Sequence, residues 1–94
     1  MFEIEEMPNS MGNEILAFMH RIFANCTIQH KYYEADNAWR FNMSFDTSHT
    51  RSYHINPPKG CCLMKVQQVG TVVSFEIILF VSDFIKYHAH QILN

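Results

Sequence analysis

Lysine and arginine are scarce in this chain: seven against nine acidic residues, a formal charge of −2, and no two of them adjacent. Phosphate backbones are held by a surplus of basic side chains gathered on one face, so nucleic-acid binding is disfavoured from the outset. Cysteine is also sparse. Three residues, with Cys61 and Cys62 adjacent and Cys26 distant, cannot form a fully paired disulfide framework. Only three glycines and three prolines occur, and there is no internal repeat or low-complexity tract. No apolar run approaches the roughly 20 residues of a membrane-spanning helix, and no signal-peptide pattern is visible. These absences lead us to expect an intracellular, reduced setting, cytoplasmic or nuclear. The sequence also lacks a catalytic signature, a cofactor-binding motif and a metal-ligand spacing.

What the chain does have is large apolar residues, 48% hydrophobic and 14% aromatic over 94 positions. That is too much for a disordered chain and suits one small domain spanning residues 1–94, of marginal stability alone.

The organising stretch is residues 61–94. Residues 63–69 are an apolar run broken by Lys65 and Gln67-Gln68, Gly70-Thr71 is turn chemistry, and residues 72–81 are the most apolar segment. Strands joined this tightly form an antiparallel hairpin. Ser82 then suits a helix N-cap, and Val81, Phe84, Ile85, His88, Ala89 and Ile92 recur at helical spacing on one face.

From the start of the chain, Phe2, Ile4 and Met7 alternate with Glu3, Glu5 and Glu6, an edge-strand pattern closed by Pro8. Ser10 caps a helix whose apolar stripe is Met11, Ile15, Leu16, Met19, Ile22, Phe23 and Cys26. Asn25 suits a left-handed helix end, after which the period changes to two. Cys26, Ile28, His30 and Tyr32 alternate with Thr27, Gln29, Lys31 and Tyr33; residues 34–37 make a turn. Trp39, Phe41, Met43 and Phe45 then form an apolar face opposite Arg40, Asn42, Ser44 and Asp46. Residues 47–60, with Pro57-Pro58, are the longest loop, anchored by Tyr53 and Ile55.

The element order is strand-helix-strand-strand-strand-strand-helix. It predicts a two-layer α+β domain, an antiparallel sheet of four to five strands with both helices on one face.

The leading strand, the Pro-Asn-Ser-Met lead-in at 8–11, the four strands, Val73-Ser74-Phe75, and Phe84, Ala89, Ile92 and Leu93 in the closing helix carry a resemblance. Together they resemble the kinase-associated domain, type one, the C-terminal domain of microtubule-affinity-regulating, AMP-activated and related protein kinases. The chain departs from that family where Phe80-Val81-Ser82-Asp83 replaces a glycine-containing loop. The resemblance implies a module that catalyses nothing and regulates by contact with a kinase domain, a partner protein or anionic lipid. No kinase motif accompanies it here, which implies a detached or stand-alone module. The lipid role carries over poorly, because Lys31, Arg40 and Lys65 stand singly and are answered by Glu34, Asp36 and Glu76.

Six histidines invite a metal reading, but His49 and His54 lie five apart in a loop. His88 and His90 point about 200° apart on a helix. His88, on the apolar face, reads instead as a hydrogen-bonded core or interface residue. Cys61 and Cys62 project to opposite sheet faces, which suits neither a mutual disulfide nor one zinc. A cysteine enzyme using Cys61 or Cys62 with a loop histidine is the rival function, and an anionic-lipid or nucleic-acid module a third. Trp39 with Tyr32, Tyr33, Phe41 and Phe45 reads as a core wall rather than a base-stacking platform.

One feature of the last strand points outward. Val72, Ile78 and Phe80 lie opposite Val73, Phe75, Ile77 and Leu79, so the strand is apolar on both faces. Either the 47–60 loop covers the second face, or another chain does. The expectation is a protein-interaction domain that binds a protein partner, a kinase domain or a second copy, through Val72, Ile78 and Phe80. The acidic edge at Glu3 and Glu5 is the alternative strand-pairing surface.

Overall fold

The computed structural model describes residues 9–49 and 55–93, and within them the side chains of 11–49 and 55–88. The expected leading strand with Glu3, Glu5 and Glu6, and the loop positions Tyr53 and His54, lie outside the described residues.

Helix α1 spans Asn9–Ile22, followed by strands β1 (Thr27–Tyr33), β2 (Ala38–Asp46), β3 (Cys61–Val69) and β4 (Val72–Phe80), and helix α2 (Val81–Leu93). All strand pairings are antiparallel, in the order β1-β2-β4-β3. The result is the expected α+β architecture. The sheet is not a simple meander, because β4 sits between β2 and β3. The loop after β2 carries the chain past a vacant lane to the far edge, and the tight Gly70-Thr71 turn returns β4 into it.

The core is one cluster: Ile15, Phe18 and Met19 from α1 and Phe23 just after it, Tyr32, Trp39, Phe41, Met43 and Phe45 from β1 and β2, Val73, Phe75, Ile77 and Leu79 from β4, and Val81 and Phe84 from α2. Both helices therefore cover the same sheet face. Trp39 stacks against Phe41 with ring centres 6.1 Å apart, and Phe23 lies 5.9 Å from Phe75. With Trp39 and Phe41 wholly buried, these rings wall the core and offer no face for base stacking.

Several local expectations need correction. Phe18, absent from the predicted stripe, is buried against Phe84, whereas Ile22 and Ile85 are exposed. A packed helix contacts two neighbours at once, sheet and second helix, so its buried arc is wider and differently centred than a single stripe suggests. The left-handed asparagine is Asn37, not Asn25; Asn37 closes a 3-10 turn after β1 and its side chain accepts a hydrogen bond from the Tyr32 hydroxyl. Helix α2 begins at Val81, one residue before the predicted cap. Its first N–H donates to the Asn37 carbonyl at 3.0 Å, so a neighbouring turn satisfies one of the donors left without an intrahelical partner at the helix start.

The end of the 47–60 loop is fastened to α2. Gly60 has φ +91, and a Cβ there would stand 3.0 Å from Tyr87 Cδ2, so both backbone shape and space demand glycine. His88 Nε2 donates to the Lys59 carbonyl at 2.7 Å, since a carbonyl can only accept, and its ring lies 4.6 Å from Phe18. Buried among these partners, His88 is the hydrogen-bonded core histidine that its helical position suggested.

Candidate functional site

Because paired residues on neighbouring strands point the same way, the register assigns every side chain on the helix-free face to a row. Phe80, Ala38 and Tyr33 form the first, at the α2 end. The second is Cys62, Ile78, Arg40 and Lys31, and the third Met64, Glu76, Asn42 and Gln29. Gln67, Ser74, Ser44 and Thr27 make the fourth, and Val69, Val72 and Asp46 the last, beside the hairpin turn.

This arrangement splits the predicted partner-binding residues. Val72 and Phe80 stand about 26 Å apart along β4, at eight steps of roughly 3.3 Å. Val72, 40% exposed, pairs with Val69, while Phe80, 38% exposed, joins half-buried Ile78 at the opposite end. Two neighbours that sequence reasoning left out, Cys62 and Met64, are exposed on the adjacent edge strand and complete an apolar patch with Ile78 and Phe80. Only the pairing register reveals this company. The described part of the 47–60 loop does not cover the patch, because Ile55 packs against the core and Lys59 and Gly60 lie against α2. Glu3 and Glu5 lie outside the described residues.

Between the two apolar ends lies a polar centre. Glu76 is buried on this face although its strand neighbours there, Ser74 and Ile78, are half-buried. Arg40 approaches its Oε2 at 4.0 Å and Lys65 its Oε1 at 3.8 Å. Lys65 sits at the point where β3 bulges, between Met64 and Gln67, with φ 56. A left-handed lysine is unfavourable by about 1–2 kcal/mol, and the bulge that requires it turns the Lys65 side chain toward Glu76. Arg40 and Lys31 also flank the Tyr33 ring, at 4.9 and 5.2 Å from its centre. The cations are thus engaged with one carboxylate and one ring, not gathered into an anion site.

The cysteines behave as strand alternation predicts. Cys61 packs against the core and Cys62 faces out. Burial pushes the Cys61 thiol up to about 12, aided by Cys62 and Asp83, which is opposite to what a nucleophile needs. His49 lies in the turn after β2, where its N–H donates to the Asp46 carbonyl. The Asp46 carboxylate accepts from the Ser48 hydroxyl and N–H at 2.7 and 2.9 Å, which holds its pKa below the ordinary value. These contacts finish a turn. Among the described residues no group of three or more His, Cys, Asp or Glu side chains is placed to hold a metal. Among them, too, no helix is long and apolar enough to cross a membrane.

No family model matches the chain, and neither curated proteins nor solved structures supply a match.

Proposed function

We propose that the chain is a non-enzymatic protein-interaction domain, a scaffold or regulator in a complex, that docks a protein partner on the helix-free sheet face. The observation that carries this reading is the patch of Phe80, Ile78, Cys62 and Met64. It is contiguous by register, its Phe80 and Met64 are 38% and 40% exposed, and the described helices leave it uncovered. Apolar anchors of this kind, grouped on a rigid sheet and bordered by Arg40, Lys31 and Tyr33, have the make-up of an interface centre with a polar rim.

Kinase regulation is the most concrete form of the proposal. Its support is the resemblance of the helix, four-strand, helix order to the kinase-associated domain, and a kinase domain or a second copy of this chain is then the partner to seek first. The lipid alternative has less behind it, since Arg40 and Lys65 both lean on Glu76.

A photoreactive phenylalanine analogue at position 80 tests the reading in the native cell, with the same analogue at exposed Glu14 on α1 as reference. Position 80 is expected to cross-link one discrete protein that position 14 does not. Equal cross-linking from both, or none from 80, overturns the proposal.

A further inference from the structure

The polar centre of the sheet face is a hollow of about 640 Å³, lined by Thr27, Gln29, Asn42, Ser44, Gln67 and Ser74 around Glu76, with Lys65 and Val66 on its β3 side. We propose that this hollow binds a neutral, hydroxyl-rich small ligand, a sugar or polyol, independently of whatever protein docks beside it.

The first support is a carboxylate held ready. The Glu76 side chain is only 9% exposed, and its Oε1 is fully covered with no hydrogen-bond partner among the described residues. Lys65 Nζ, at 3.8 Å, is too far to donate a normal hydrogen bond and belongs to a side chain that is 71% exposed. A buried acceptor without a donor is unfavourable, so a ligand that displaces the lysine and donates to Oε1 is rewarded. The second support is the lining. Three carboxamides and three hydroxyls ring this carboxylate, supplying donors and acceptors together on four rigid strands.

Charge and shape then select the ligand class. A cation competes with Arg40, which stays beside Glu76 Oε2 when Lys65 is displaced, and an anion is opposed by Glu76. A nucleobase needs an aromatic face to stack on. The hollow has none, because the Phe75 and Met43 side chains that contribute backbone to it are themselves buried toward the helices. A peptide strand needs an unpaired edge, whereas this site lies on the face of paired strands. Hydroxyl groups meet none of these objections, and the carboxylate is a good acceptor for them.

The test is titration of isotope-labelled protein with glucose, N-acetylglucosamine and myo-inositol, and separately with inorganic phosphate, followed by nuclear magnetic resonance. At least one polyol should shift the side-chain amide signals of Gln29, Asn42 and Gln67 saturably. Glu76→Gln and Asn42→Ala should each weaken that binding at least tenfold, while exposed Glu14→Gln leaves it unchanged. Asn42 is exposed, so its variant decides the matter should Glu76→Gln fail to fold. Absence of saturable shifts with every polyol, binding of phosphate alone, or undiminished affinity in Asn42→Ala overturns the proposal.

Discussion

Phe41→Ala removes the ring at the centre of the sheet, and its expected cost follows from what surrounds that ring. Phe41 is wholly buried, stacked on Trp39 and paired across the sheet with Ile77 and His30. Strand pairing on both sides fixes the backbone, so the vacated volume cannot collapse. Truncation of a buried phenylalanine then costs about 3–5 kcal/mol. A domain of this length has a total stability of about 5–14 kcal/mol. At about 4–8 °C per kcal/mol for so small a domain, the melting midpoint should fall by about 12–40 °C. Its strand neighbour Asn42 is exposed on the opposite face, and Asn42→Ala should cost under about 0.5 kcal/mol. Urea titration followed by circular dichroism separates the two, with an unchanged slope confirming that only stability has moved. Comparable losses at the two positions would refute the assignment of faces.

Two further substitutions or probes test particular contacts. Gly60→Ala, at φ +91 with Tyr87 Cδ2 3.0 Å from the new methyl group, should cost about 1–3 kcal/mol in the same titration, whereas a loss under about 0.5 kcal/mol would show that the α2 junction is loose. Mass-resolved thiol labelling at neutral pH should find Cys62 reacting as an open thiol. Cys61, its thiol pushed up to about 12 by burial, should react much more slowly than an ordinary exposed cysteine. Rapid labelling at Cys61 would favour the cysteine-enzyme alternative.

Much of the fold was legible because period two and period 3.6 register burial directly. The alternation from Trp39 to Phe45 and the apolar spacing of Ile15, Met19 and Phe23 locate β2 and α1 without reference to the rest of the chain. Strand order was less accessible. Placing β4 between β2 and β3 depends on the path of a long loop, and local pattern says nothing about which lane a returning strand takes. The site was legible only in part for the same reason. Ile78 and Phe80 announce themselves as apolar residues on the second face of a strand, but their neighbours Cys62 and Met64 come from another strand and are supplied by register. Glu76 gave a weaker signal as the lone acid in the apolar run of β4. Its burial arises from Lys65 at the bulge and Arg40 on β2, a convergence that depends on the irregular pairing between Met64 and Gln67.

The measurement that bears most directly on the proposed docking face is a paired reading on the Ile78→Ser, Phe80→Thr double variant. Both side chains lie on the helix-free face and contribute little to the core, so the far-ultraviolet spectrum should be unchanged and cooperative melting retained. Affinity for the protein captured through position 80, or self-association if that protein is a second copy, should weaken by about 2 kcal/mol or more, roughly thirtyfold. Full affinity in a well-folded double variant would contradict the account, and so would collapse of the fold, which would make these residues core.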